Sequence, residues 1–230
     1  MTTDDELLAE RPRLLDLFCG AGGAAKGYHN AGFEVIGVDI VDQPNYPFEF
    51  RKLDALKIGR YFESYIDAIH ASPPCQFATA YRRRKGVAAD AVNLIPQTRT
   101  LLKHYAMLGV PYVIENVEQA KDHLRNPVRL CGSSFGLNVR RHRLFECSFP
   151  IMVPPCDHSW QTPRFPPATN RQNLRSTVEV GVYRIPLAVQ REAMGVDWMT
   201  LPELSQAIPP AYTEFIGGQL LATIGASRDG

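Results

Sequence analysis

Little in this sequence points to a membrane, a secreted scaffold or a repeat array. No apolar run approaches the ~20 residues a bilayer-spanning helix needs, so no membrane partner is expected. Cysteine is sparse, with 5 residues at no regular spacing. An odd, scattered set argues against a disulfide framework and for a reducing compartment. Residues 1–12 read as an acidic, polar tail. They lack the basic-then-apolar pattern of a secretory signal, so a cytoplasmic, monomeric protein is the expectation. No internal repeat or low-complexity tract is visible. A strong excess of one charge is also missing, the formal net charge being +1.

What is present is an ordinary globular composition on 230 residues, enough to bury one real core. The charge is uneven. Asp4, Asp5, Glu6 and Glu10 load the tail, which leaves the remainder basic. Much of that basicity sits in Arg82-Arg83-Arg84-Lys85 and Arg140-Arg141-His142-Arg143. Either cluster alone reads equally well as a solvated loop.

Short apolar runs at Arg13–Phe18, Glu34–Ile40, Asp67–Ala71 and Pro111–Glu115 read as strands. Ala24–Ala31 and Asn93–Leu108 carry helical composition or spacing between them. This alternation predicts an α/β fold, a doubly wound and mostly parallel sheet with helices on both faces. The predicted catalytic and cofactor-binding domain is 13–146. A proline-dense, aperiodic stretch makes 147–183 an irregular insert. Residues 184–230 return to the main domain through helices at Pro186–Met194 and Tyr212–Ile224.

Two places carry chemistry. Asp16-Leu17-Phe18-Cys19-Gly20-Ala21-Gly22-Gly23 closes the first strand with a glycine-rich turn into a helix. Such a turn lets backbone approach a ligand and offers free N–H groups. Asp39, ending the second strand, is placed to hold ribose hydroxyls, and Asp54 could accept from an adenine amine. NAD, FAD and S-adenosylmethionine all fit this half. The second place is Ser72-Pro73-Pro74-Cys75-Gln76, after the Asp67–Ala71 strand. A cysteine in a proline-stiffened loop beyond a strand's carboxyl end sits where a nucleophile belongs. Nearby cations are expected to favour its thiolate. Glu115-Asn116-Val117 should end the neighbouring strand, and Glu115 suits a substrate hydrogen bond, as the protonated acid if need be.

The order Asp16–Gly23, Ser72–Gln76, Glu115–Val117 and Arg141-His142-Arg143 resembles the DNA (cytosine-5) methyltransferase family. Gln190–Gly195 resembles its Arg-Glu helix. Ser205–Pro210 resembles its last motif, which packs near the first glycine turn. The resemblance implies an S-adenosylmethionine-dependent Rossmann-like methyltransferase with a small target-recognition insert, acting on double-stranded DNA. It implies that Cys75 adds to carbon 6 of a flipped cytosine, and that Glu115 holds N3 and the exocyclic amine. Arg141, with Arg143, would lie near the base carbonyl oxygen. Cofactor contacts would come from Asp16, Phe18, Cys19, Gly20, Gly22, Gly23, Asp39, Ile40, Asp54, Ala55, Pro73 and Gln206. DNA contacts would come from Gln76, Arg82, Arg83, Arg84, Arg140, Arg164 and Arg171, with 77–90 as the loop that closes over the base.

Three departures stand out. Val139 occupies the position of a family glutamine, Ser205-Gln206 replaces Gly-Asn, and the recognition insert is short. Gln206, one methylene longer than that asparagine, would admit a modified cofactor, and so small an insert implies a short target, a cytosine with one specified neighbour, guanine. Cys131, Cys147, Cys156 and His158 could be gathered around zinc, but no Cys-x-x-Cys pair exists and no metal is expected. A tRNA-modifying relative would carry Cys-Phe-Thr before the terminal motifs, which is absent. A non-catalytic DNA-binding relative would have lost the Pro-Cys or Glu-Asn-Val, and both are present.

Overall fold

The structure is a computed structural model and describes residues 11–59, 61–63, 65–78, 92–162 and 175–228. Among these, strands β1 (Arg13–Leu17), β2 (Glu34–Asp39), β3 (Glu49–Lys52), β4 (Ala68–Ala71), β5 (Tyr112–Val117), β6 (Val128–Leu130) and β7 (Arg143–Cys147) form one sheet. Its order is β3-β2-β1-β4-β5-β7-β6. The pairs from β3 to β5 are parallel, whereas β7 runs antiparallel to both β5 and β6. The parallel, doubly wound expectation therefore holds through β5, and the β6–β7 edge is its antiparallel close.

One face of the sheet packs Ile69, Ile114 and Leu15 against α2 (Ile95–Met107) through Leu102 and Tyr105. The other packs Leu14, Val35 and Val113 against α1 (Gly23–Ala31) and α5 (Pro210–Arg228). A third cluster joins α3 (Leu187–Met194) and α4 (Leu201–Gln206) to Val139, Val178 and Ile185. Short strands β8 (Gln161–Thr162) and β9 (Arg175–Ser176) pair beside the main sheet. No helix among the described residues is long and apolar enough to cross a membrane.

Local chemistry explains the helix ends. Asn93 Oδ1 accepts from the Ile95 amide at 3.0 Å as α2 begins. Thr200 and Glu203 form a capping box at α4, and Glu203 also accepts from Asn45 Nδ2 at 2.9 Å. At α1, Gly27 is required by proximity, since a Cβ there would lie 2.0 Å from the Pro210 carbonyl oxygen. The α1–α5 contact brings Thr213 Oγ1 to donate to the Ala24 carbonyl at 2.8 Å. The terminal motif thus backs the glycine turn, as the sequence implied.

A buried ion pair locks α2 to β7. Arg99 Nε and a terminal guanidinium nitrogen donate to the two Glu146 oxygens at 2.7 and 2.6 Å. The Arg125 amide also donates to Glu146, and Arg99 donates to the His123 carbonyl.

Candidate active site

At the carboxyl ends of β1 and β2 lies the glycine turn. Gly22 has φ +83° and its missing Cβ leaves room for Tyr46 and Pro47, whose atoms would be 2.8–3.1 Å away. Asp39 Oδ2 accepts from the Gly20 amide at 3.1 Å, and Oδ1 from the Val41 amide at 3.0 Å. The acid at the end of β2 therefore shapes the turn of β1. Phe18 adopts a left-handed φ of 58°, and Ile40 stands 64% exposed beside Asp39. Asp16 is fully buried, and among the described residues only the Ala25 amide is turned to its carboxylate, without a well-formed hydrogen bond. Burial, then the Asp39 and Glu115 charges, push its carboxyl well above the usual range. Cys19 is buried in the same turn, and its thiol is pushed up by burial and by Asp16.

Asp54 caps a 3₁₀ turn at Ala55–Lys57, accepting from the Leu56 amide at 3.0 Å, while Ala55 is buried beneath it. That amide, and then Lys57, hold the Asp54 carboxyl below its ordinary value. Gln206 is exposed at the end of α4, with Nε2 donating to Ser205 Oγ at 3.3 Å.

The chemical end is built on adjacent β4 and β5. The Ser72 amide extends the ladder to the Leu17 carbonyl at 3.1 Å, and the chain then enters Pro73-Pro74-Cys75. Asn116 Nδ2 donates to the Pro73 carbonyl at 2.8 Å, so the residue after Glu115 pins the cysteine loop. Glu115 is 6% exposed and ion-paired with Arg143 Nε at 3.2 Å. Burial raises its carboxyl pKa, while Arg143, a hydrogen bond from Ser72 and Arg141 oppose the shift. Behind it, Ser72 Oγ lies 2.9 Å from His70 Nε2, and His70 Nδ1 lies 3.0 Å from the Tyr28 hydroxyl. Burial lowers His70 to about 3, so the ring is neutral in this chain of bonds.

Cys75 is half-buried. Burial pushes its thiol up, Glu115 adds to that, and Arg143 and Arg141 pull back. Arg82 to Lys85, the cations expected to favour its thiolate, lie outside the described residues; among the described ones dehydration outweighs Arg143 and Arg141. Gln76 is half-buried with Oε1 unpartnered.

Arg141 is held by backbone. Its guanidinium donates to the carbonyls of Ala207 at 2.7 Å, Ser205 at 2.7 Å and Leu204 at 3.3 Å. It sits at φ +36°, and Tyr212 Oη donates to its carbonyl at 3.0 Å. Arg141 thus ties down α4 while Arg143 pairs with Glu115, and both cations act on Glu115 and Cys75. Arg140 Nε donates to Gln161 Oε1 at 3.4 Å, and Val139, in the family's glutamine position, is buried in the α3–α4 cluster.

Arg82, Arg83 and Arg84, most of the 77–90 loop, Arg164 and Arg171 lie outside the described residues. Of the four residues considered for zinc, three meet. Cys131, Cys156 and His158 converge with His142, while Cys147 lies apart on β7. His142 escaped attention in the sequence because it is embedded in an arginine cluster that already suggested another role.

The family of C-5 cytosine-specific DNA methylases matches residues 13–130. The type II methyltransferase M.HgiGI of Herpetosiphon aurantiacus is 30% identical over 122 residues, spanning 47% of this chain and 93% of that protein. Among solved structures, the S. pombe Dnmt2 methyltransferase superposes with TM-score 0.58 at 15% identity, covering 92% of this chain and 99% of the other. A putative DNA modification methyltransferase encoded within an E. coli prophage gives 0.57 at 15% identity, covering 93% and 99%. At that identity the two structures speak to the fold.

Proposed function

The chain belongs to the C-5 cytosine-specific DNA methylases, S-adenosylmethionine-dependent cytosine methyltransferases, and from that premise we propose that it acts as a cytoplasmic monomer on double-stranded DNA. The observation that carries this reading is the joining of the cysteine loop to the Glu115 strand through the Asn116–Pro73 bond. One chain brings the nucleophile, the acid and its cation to one end of the sheet, which supports a complete monomeric site.

The glycine-turn residues fit S-adenosylmethionine. A buried Asp16 with no counter-charge and only the Ala25 amide turned to it, beside a side-chain-free turn, suits a ligand that brings positive charge. Phe18 and exposed Ile40 would flank the adenine, Asp39 would take the ribose, Asp54 the adenine amine, and Cys19, Gly20, Gly23, Ala55 and Pro73 would line the path. Gln206, at the end of α4, would face the methionine end. When bound, the cofactor supplies an electrophilic methyl group on a sulfonium.

The base must leave the stack to reach Cys75. Sγ then forms a bond to carbon 6 as the thiol proton passes to solvent, and Glu115 delivers a proton to N3 and is left as a carboxylate paired with Arg143. Carbon 5 becomes the nucleophile. Arg143 orients Glu115, and Arg141 with Arg143 would stabilise charge on the base carbonyl. Loss of the carbon-5 proton and of Cys75 restores the ring. The coupling of the two groups helps: neutral Glu115 no longer repels a thiolate at Cys75.

DNA is favoured over tRNA because the Cys-Phe-Thr tripeptide is absent. Arg82–Arg84, Arg140 and Gln76 would hold the strand, and Arg164 and Arg171 in a short insert would read one neighbour of the cytosine. The test is mass analysis of nucleosides from plasmid DNA and from tRNA after incubation with S-adenosylmethionine. 5-Methylcytosine in DNA alone is expected. DNA carrying 5-fluorocytosine should trap the wild type covalently and leave Cys75→Ser free, while modification of tRNA alone would overturn the assignment.

A further inference from the structure

At the outer edge of the sheet four side chains converge that the methyl-transfer chemistry does not use. Cys131 follows β6, His142 immediately precedes β7, and Cys156 and His158 lie in the irregular segment after it. Their donor atoms all lie within 4.8 Å of one another. His158 Nε2 is 3.3 Å from Cys131 Sγ and 3.0 Å from Cys156 Sγ, and His142 Nε2 is 3.3 Å from Cys156 Sγ. A tetrahedral zinc with bonds of ~2.3 Å to sulfur and ~2.0 Å to nitrogen has ligand–ligand edges of roughly 3.3–3.8 Å. These three sulfur–nitrogen contacts are such edges, slightly contracted, and the remaining donor pairs lie within 4.8 Å, a span that closes on an ion by small side-chain shifts.

A second feature supports the ligand role. His142 Nδ1 lies 3.2 Å from Glu118 Oε2. A carboxylate on Nδ1 fixes the proton there and turns the Nε2 lone pair toward the two sulfurs, the arrangement that orients metal-bound imidazoles. Ser133 Oγ donates to Cys131 Sγ at 3.1 Å and lies 3.9 Å from Cys156 Sγ, as a hydroxyl serving thiolates would. The two imidazoles stack at 5.4 Å with planes 20° apart. A disulfide between the cysteines would leave two imidazole nitrogens aimed at sulfurs with no lone-pair acceptor to offer them.

We propose that Cys131, His142, Cys156 and His158 form a structural zinc site that fastens the segment after β7 to the β6–β7 edge. Two thiolates and two neutral imidazoles balance the charge of Zn²⁺, with two thiol protons released to solvent on binding. Four protein ligands leave no open position, which suits a structural rather than a catalytic ion. His142 lies between Arg141 and Arg143, so the ion would also steady the turn that presents Arg143 to Glu115. Beyond His158 the chain reaches Gln161, which touches Arg140, and so the ion would anchor the root of the reading insert.

The test is elemental analysis of the full chain with cobalt exchange of the same protein. One zinc per chain is expected in the wild type and in Cys147→Ser, and loss of stoichiometric zinc in Cys156→Ser and His158→Ala. Replacing zinc with Co²⁺ should give the intense visible bands of a tetrahedral site with thiolate charge transfer, a readout that needs no variant to fold and no activity. A zinc-free wild type that takes up neither zinc nor cobalt, an octahedral cobalt spectrum, undiminished zinc in the variants, or a native Cys131–Cys156 disulfide would each overturn the proposal.

Discussion

Replacing Glu146 with glutamine is expected to be among the more damaging changes of a single charge in this protein, though it touches neither nucleophile nor cofactor turn. Glu146 accepts two bonds from Arg99 and one from the Arg125 amide, at 2.6–2.8 Å. The two side chains are 9% and 4% exposed. Glutamine keeps one carbonyl oxygen but turns an N–H toward another donor, leaving a buried guanidinium without its counter-charge. Breaking one partner of such a pair costs about 3–5 kcal/mol. For a chain of this size each kcal/mol moves the midpoint by roughly 2–4 °C, so a fall of roughly 6–20 °C is expected. Arg99→Met combined with Glu146→Leu should recover most of that loss, because the pair's desolvation cost is removed with its attraction. Urea unfolding and calorimetry of wild type, Arg99→Met, Glu146→Leu and the double variant close the cycle, with Glu146→Gln measured beside them. If Glu146→Gln costs less than about 1 kcal/mol, or the double variant is no better than the singles, the reasoning fails.

Three further outcomes follow from the site. Arg143→Met removes the cation that lowers both Glu115 and Cys75, so both pKa values rise. The limb needing a protonated acid and the limb needing a thiolate should both move to higher pH, with a lower maximum rate. An unmoved pH–rate profile would dissociate Arg143 from the pair. Asp16→Asn should raise the stability of the cofactor-free protein and weaken S-adenosylmethionine binding. Because Asp16's folded pKa is raised, its penalty is absent below the ordinary carboxylate value and grows as pH rises through the window up to the folded value. Melting scans from acidic to neutral pH should show the variant's advantage widening, and a constant gap would contradict the assignment. Asp39→Ala should weaken cofactor binding by about 1.5–3 kcal/mol, as for a charge-assisted hydrogen bond. Calorimetric titration showing unchanged affinity would remove Asp39 from the cofactor cleft.

The parts of the fold legible in the sequence were those fixed by local chemistry. β1, α1 and β2 follow from an apolar run, a glycine turn and alternating valines. The cysteine loop and Glu115 strand announce themselves by prolines and by a polar ending to an apolar run. β3 was invisible because Glu49-Phe50-Arg51-Lys52 is an exposed edge strand with one apolar residue. The β6–β7 hairpin was masked by the basic cluster that opens β7. α4 could have been read from Thr200 and Glu203, three residues apart. The direction of Arg141 depends on carbonyls more than 60 residues away, and the Arg99–Glu146 pair spans 47 residues. Neither separation leaves a mark in local composition. The four-ligand cluster shares that property, its members being spaced by topology alone.

The seating of α5 on α1 has a consequence for the timing of synthesis. Gly27 has no side chain because the Pro210 carbonyl occupies that space, and Ala24 is bonded by Thr213. Trp198 Nε1 likewise donates to the Ala21 carbonyl at 2.8 Å. A growing chain therefore makes its glycine turn early and leaves it unbacked, with a bare helix groove, through most of translation. The turn acquires its support only once residues 198–213 have cleared the ribosome, so a chain stalled before them holds the nucleophile and the acid on an unbraced cofactor cradle. Nascent-chain stalling on either side of Thr213 would separate assembly of the parallel sheet from assembly of a competent cofactor cleft.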